Sequence, residues 1–277
     1  MHAPELRAAA LQALCCPDID DKCRQVEALH AQASDLHLDP ETPLAPPPAL
    51  PGRPVRPPLI DPSTVPSRSP FTPEGHAALI HSICHIEFNA INLALDAVWR
   101  FPGMPRPFYL DWLRVAAEEA YHFGLLRAHL RTLPHLGRPE PWDYGDFAAH
   151  DGLWLMCEKT ADDIVARMAL VPRTLEARGL DATPLIQAKL RRSGTAPALQ
   201  TVALLDIILR DEVGHVAIGN HWYRWLCERE GLDPVAHYRV LARRHSAPRL
   251  KPPFNDEARR QAGFSQAELD FLQQQVV

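Results

Sequence analysis

The chain lacks most of the features that would assign it quickly to a functional class. Its six cysteines (Cys15, Cys16, Cys23, Cys84, Cys157, Cys227) are scattered, and none stands in a Cys-x-x-Cys pair. That argues against a disulfide framework, an iron–sulfur cluster and an appended rubredoxin-type iron site. Only 13 glycines are present in 277 residues, and no dinucleotide-binding fingerprint occurs among them. No apolar run reaches the roughly 18 residues a membrane-spanning helix needs. Glu5 stands where a secretory leader would carry basic residues, ahead of Ala8–Leu14. Neither sign of charge dominates, with 29 Lys and Arg against 34 Asp and Glu and a formal net charge of -5. There is accordingly no global nucleic-acid signature, although local basic patches are allowed. No useful stretch alternates apolar and polar residues with the period of a strand. The expectation is an all-α, cytoplasmic protein with no membrane partner.

What is present is helical and interrupted by proline. At 277 residues and 46% hydrophobic content the chain can bury a sizeable core as one large domain or two small ones. Residues 1–38 read as an N-terminal helical pair, Pro4–Cys16 and Asp18–Ala33, broken at Pro17. Residues 39–72 are proline-rich, with 13 prolines from Pro40 to Pro73. Such a stretch is stiff and extended; a linker is the plainer reading, and a strap that helps close a site is the alternative. Residues 73–232 carry four long apolar-periodic segments. The first starts at Thr72-Pro73-Glu74, a capping hydroxyl, a first-turn proline and an acid at the positive end of the helix dipole, and runs to about Arg100. The second covers about Pro107 to Leu133, the third roughly 152–178, and the fourth about 197–229. Pro172 should kink the third helix, and Gly179–Pro184 should interrupt it before a short helix to about Arg192. Residues 233–277 read as a C-terminal extension of two or three short helices.

Two Glu-x-x-His pairs lie in these segments, Glu119-Ala-Tyr-His122 and Glu212-Val-Gly-His215, each preceded by a lone glutamate, Glu87 and Glu176. The motif alone is cheap: with 15 Glu and 14 His, about one copy arises by accident, and Glu27-Ala-Leu-His30 is a spare. Placement separates the pairs from the spare. Glu87 and Glu119 are equidistant from Gly103, and Glu176 and Glu212 from Gly194. Both glycines sit in strong breaks, so in an antiparallel hairpin each lone glutamate faces its Glu-x-x-His at one depth. One Glu from each of two helices and a Glu-x-x-His from each of the other two is the ligand set of a dinuclear carboxylate site. A charged carboxylate on an apolar face is costly unless paired or metal-bound. Four carboxylates balance two divalent cations with neutral histidines, and oxygen plus imidazole donors favour iron or manganese over structural zinc. Glu118 and Asp211, each just before a motif glutamate, are placed to receive the free ring N–H of a ligand histidine from a neighbouring helix. A rival ligand assignment uses Glu118 with His122.

The residues resemble the ferritin-like di-iron carboxylate superfamily through Glu87, Glu119/His122, Glu176 and Glu212/His215. The phrases His85-Ile-Glu87, Ala117-Glu-Glu-Ala-Tyr-His122-Phe, Leu175-Glu-Ala-Arg-Gly-Leu-Asp181, Arg210-Asp-Glu-Val-Gly-His215 and Ala247-Pro-Arg-Leu-Lys-Pro-Pro-Phe-Asn255 are similar to a bacterial ferritin-like family described as a domain of unknown function. That family is distantly similar to the tRNA hydroxylase acting on an isopentenyl-adenosine derivative. The resemblance implies a ferritin-like four-helix bundle with an N-terminal helical extension and C-terminal short helices. It also implies two iron ions, with manganese or a mixed iron/manganese pair as variants, and activation of dioxygen or peroxide. The expected function is an oxygenase or hydroxylase on an unidentified organic substrate, with a modified nucleoside as one option and an external electron donor. Beyond the metal ligands, no catalytic residue is assigned. Alternatives are a ferroxidase or iron-handling protein without organic substrate, and a metal-stabilised binding protein.

Other residues are weighed as structural. His76, His81 and His85 follow helical spacing, but His85 sits about 160° round the helix from Glu87, so satisfied or exposed histidines are the plainer reading; His221 is likewise off the ligand face. Tyr121 is expected to pack, and Cys15 and Cys16 to be partly buried thiols. Trp142, Tyr144, Phe147 and Trp154 are expected to pack a loop rather than wall a substrate pocket. The run Arg239, Arg243, Arg244, Arg249, Lys251 is expected to be a solvated face, with phosphate or nucleic acid as its alternative partner.

Overall fold

A computed structural model describes residues 5–135 and 137–274; the predicted helix start at Pro4 lies outside the described residues. The described chain is all-α, its only extended pairings being two isolated bridges, Glu5 with His37 and Leu59 with Ala149. It divides into two compact units, 1–154 and 155–277.

The first unit is a helix hairpin braced by two shorter helices. α1 (Leu6–Cys15) packs on α3 (Pro73–Arg100), and α2 (Ile19–Gln32) packs on α4 (Arg106–Thr132). α3 starts as the sequence predicts: Thr72 Oγ1 accepts from the Gly75 N–H at 3.1 Å, with Pro73 in the first turn. The α3–α4 turn passes through Gly103 in the left-handed region (φ 78°), where a side chain would be strained. α3 is the one helix, among the described residues, long and apolar enough to cross a membrane by length and composition, but 78% of its apolar window is buried inside the protein. A core helix passes the same test.

The proline-rich stretch is a strap rather than a free linker. Gly103 N–H donates to Pro40 O, Gly52 N–H to Leu14 O, Ile60 N–H to Ala149 O, and Ala149 N–H to Pro58 O. Two buried cations anchor it. Arg7, 1% exposed, donates to the carbonyls of Asp39, Thr42 and Trp99 at 2.8–2.9 Å. Lys22, fully buried, donates to Gly52 O and to Asn92 Oδ1. Desolvation lowers its pKa to about 7, against the partial compensation of nearby cysteines. A stretch without periodicity gave no sign of these anchors, because each depends on residues tens of positions away.

The second unit corrects the third predicted helix. In place of one helix over 152–178 there are α5 (Gly152–Lys159), which carries the chain across from the first unit, and α6 (Ile164–Leu170). A π-helical turn follows over Val171–Glu176, then α7 (Ala177–Ser193). Asp163 caps α6 by accepting from the Ala166 N–H. Pro172 widens the turn into the π form, and Thr174 Oγ1 donates back to the Ala169 carbonyl at 2.8 Å. The expected interruption at Gly179–Pro184 does not occur, since α7 runs straight through Pro184. Proline cannot donate to the carbonyl four residues back, but that carbonyl, Leu180 O, accepts from Asn255 Nδ2 at 3.2 Å instead. A residue 71 positions downstream thus removes the penalty that the local sequence announces.

α7 turns at Gly194 (φ 65°) into α8 (Ala196–Glu230), against which α6 and α7 pack. α9 (Pro234–Arg244), α10 (Asp256–Gln261) and α11 (Gln266–Gln274) form the predicted C-terminal short helices. Leu250 and the last two of these helices, with the turn between them, close a core of Leu180, Val216, Leu250, Ala262, Phe264, Leu269 and Leu272.

Candidate metal centre

On the facing sides of α3 and α4, two carboxylates and an imidazole meet in the interior. Glu87 is 4% exposed, and Glu119 and His122 are fully buried. His122 Nδ1 lies 3.4 Å from Glu87 Oε2 and 3.5 Å from Glu119 Oε2. One ligand atom from each of the three residues lies within 4.8 Å of the others. Glu119 and His122 share a side because they are three residues apart on α4; Glu87 reaches them because the Gly103 turn folds α3 back at the expected register.

The electrostatics favour a cation there. Burial alone would drive the proton off His122, but hydrogen bonds and charges from Glu119 and Glu87 outweigh it and push the imidazole up to about 11. Two buried carboxylates demand positive charge, and a proton on His122 supplies it when no metal is present. A divalent cation could do the same with His122 neutral, by displacing that proton. Burial, and then the charge of Glu87, pushes the Cys84 thiol one turn earlier well above the usual thiol range, and among the described residues no cysteine sulfur joins the group. The Glu/His group could therefore hold a metal ion.

The second unit repeats the motif. Glu212 and His215 on α8 come together, His215 Nδ1 lying 3.6 Å from Glu212 Oε1, with side chains 12% and 1% exposed. Glu176 is half-buried at the end of the π turn. Among the described residues, no metal-type trio joins it to Glu212 and His215. Its setting is nonetheless specific. A Cβ on Gly219 would approach Pro172 Cβ to 2.5 Å, so α8 can accept the proline ring only at a glycine. Pro172 lies four residues before Glu176 and Gly219 four after His215, so this contact sets the turn against the helix.

Glu27 and His30 are exposed, as expected of the accidental copy. Glu118 is half-buried, and His122 pairs with Glu119. Asp211 accepts from Arg210 at 2.8 and 3.1 Å. Tyr121 is 50% exposed, which corrects the expectation that it packs; it points outward because Glu119 and His122 take the inner face of α4. Cys15 and Cys16 are free thiols of intermediate burial, and His221 is exposed. Trp142, Tyr144, Phe147 and Trp154 are buried, with Trp142 stacked on Phe147 and Tyr144 on His81. Arg239, Arg243, Arg244, Arg249 and Lys251 are all exposed.

His81 carries a testable pH dependence. Its Nε2 accepts from the Gly145 N–H at 2.9 Å, so the ring must be neutral with its proton on Nδ1. Desolvation, with His85 adding repulsion, lowers its pKa to about 4. The unfolded chain takes up a proton below about 6.5 that the folded chain refuses until about 4. Stability therefore falls as pH drops through that window. Urea titrations at pH 7, 5.5 and 4.5 should show this loss, and His81→Gln, which keeps an acceptor without a charge, should make it shallower. His122 adds no slope there, because a raised pKa leaves its contribution complete below 6.5.

The fold and site together define an all-α protein with a buried carboxylate–imidazole group able to hold a metal. Residues 15–270 match the family described as "Protein of unknown function (DUF455)". An uncharacterized protein of Haemophilus influenzae is 47% identical over 263 residues, covering 91% of this chain and 88% of the relative. The chain belongs to that family. No solved structure matches.

Proposed function

We propose that this protein is a dinuclear metal oxidoreductase of the ferritin-like kind. In this reading α3, α4, the α6–α7 run and α8 are the four helices of one bundle, and the two half-sites complete a single centre. Glu87, Glu119, His122, Glu176, Glu212 and His215 hold two iron ions, or manganese, or one of each, with Glu118 and Asp211 orienting the histidines from behind. The observation that carries the reading is the buried trio of Glu87, Glu119 and His122. Glu212 and His215 on α8 support it by repeating the same pair at the same spacing, with His215 1% and Glu212 12% exposed. When bound, the metals would supply redox chemistry toward dioxygen or peroxide. The chain's own residues bind and neutralise the ions and keep bulk water from the buried trio. An organic substrate is the target in this reading. The electron donor is a separate protein, since the chain carries no redox motif of its own.

Anaerobic loading with ferrous iron followed by rapid mixing with oxygen tests this. Oxidation of about two irons per chain without a growing ferric core is expected. Continued iron uptake into a mineral core would instead make the protein an iron-handling ferroxidase. Absence of any iron-dependent oxygen consumption would sink both.

A further inference from the structure

The strap covers a second site, separate from the carboxylate trio. Asn89 stands two residues past Glu87, about 200° round α3, so the two side chains leave opposite faces of the helix. There the strap residues Arg53, Pro57 and Leu59 roof a cavity of about 70 Å³, open to solvent on one side, with Phe88, Asn89, Asn92 and Tyr144 among its inner walls. That is room for a handful of water molecules, or for the polar head of a small ligand whose remainder lies in the open mouth.

Two buried amides face this space. Asn89 is 2% exposed, and its Nδ2 donates to the His85 carbonyl at 2.8 Å, which fixes the orientation of the amide. Its Oδ1 is buried and accepts no hydrogen bond among the described residues, an arrangement uncommon unless a ligand or water supplies the donor. Asn92, 1% exposed, accepts from Lys22 Nζ at Oδ1, which leaves its N–H2 as a donor. The ring of Phe88 and the strap prolines add flat apolar walls. Arg53 at the rim is neutralised by Asp151, whose oxygens accept from Nη2 at 2.7 and 2.8 Å. The site thus offers an acceptor and a donor side by side, with Arg53 paired to Asp151 and the three protons of Lys22 directed at Asn92 Oδ1 and the carbonyls of Leu14 and Gly52.

We propose that this pocket binds a small planar ligand of the neutral carboxamide class, its N–H2 donating to Asn89 Oδ1 and its carbonyl accepting from Asn92. A carboxylate fits worse, because it cannot donate to Asn89 and finds Arg53 already paired. The strap is then the outer wall of a binding site.

Benzamide and benzoate are the probes, with binding to the full-length protein followed by ligand-observed NMR and by crystals grown with benzamide. Benzamide should bind with its amide on Asn89 and Asn92, and benzoate roughly tenfold or more weaker. Asn89→Leu should weaken benzamide by a similar factor. Leu59→Trp, at a strap position 39% exposed, should block the pocket from outside with little risk to folding. Iron content should be unchanged in both variants, so the result stands apart from that of the metal centre. Equal binding of benzoate, unaltered benzamide binding in both variants, or ordered water alone in the pocket would each overturn the proposal.

Discussion

Protein purified after iron-replete growth should carry about two metals per chain, and Glu119→Ala should carry well under one. The expected loss is large because Glu119 is fully buried and shares His122 with Glu87; removing it cuts the buried trio to one carboxylate and one imidazole. Glu212→Ala gives the sharper result. If the half-sites on α4 and α8 belong to one centre, this change in the second unit also empties the first, and metal content falls toward zero. If each pair acted alone, one metal would remain with Glu87, Glu119 and His122, and the dinuclear reading would be lost. Glu27→Ala is the control, since Glu27 and His30 are exposed on α2. Melting curves add a readout independent of activity. An ion present at about 1,000 times its dissociation constant stabilises by about 4 kcal/mol, on the order of 10 °C for a chain of this size. Chelation should remove that increment from the wild type and leave Glu119→Ala unmoved.

Glu268→Ala should be the most damaging single change in the second unit, by about 3–5 kcal/mol. Arg173 on the π turn is 4% exposed, and its Nη2 donates to Glu268 Oε1. The guanidinium also lies over the rings of Tyr223, Tyr238 and Phe264, with centroids at 4.7, 5.3 and 5.1 Å. Glu268 is held in turn by Ser265, whose N–H and Oγ–H donate to Oε2. Deleting the carboxylate leaves a buried cation facing aromatic rings that attract it but cannot neutralise it. Replacing both partners, Arg173→Met with Glu268→Leu, should recover much of the loss, because neither charge is then stranded. Chemical denaturation of the three proteins measures this; equal loss in single and double variants would show that the pair is not the cause. Gly219→Ala tests the same turn from the other side. Its methyl would meet the ring of Pro172, so the turn or the helix must move. Lower metal content with a modest change in melting temperature is the expected outcome.

Most of the helical plan was legible because its signals are local. The N-cap at Thr72, the periodic apolar faces and the two turn glycines each act within a few residues, so the ends of α3, α4 and α8 came out within a residue or two. The α3–α4 trio was legible for a related reason: a hairpin about Gly103 brings equidistant residues to one depth, and Glu87 meets Glu119 and His122 without help from the rest of the chain. The third helix was not legible, because its two proline signals are answered elsewhere. Pro172 is absorbed by a π turn that Thr174 and Gly219 accommodate, and Pro184 by Asn255, which takes over the carbonyl it leaves.

The amino-acid sequence by itself determined an all-α protein, the hairpin registers and the Glu/His pairs, because short-range geometry and helical period suffice for those. Only the tertiary structure decided what the proline-rich stretch and the C-terminal extension do. Arg7 and Lys22 fasten the first over α3, and Arg173, Asp181 and Asn255 lock the second onto the π turn and α7. These anchors are single buried polar groups reaching backbone or carboxylate partners dozens of residues away. Their stabilisation comes from desolvated hydrogen bonds, which leave no periodic trace in a sequence.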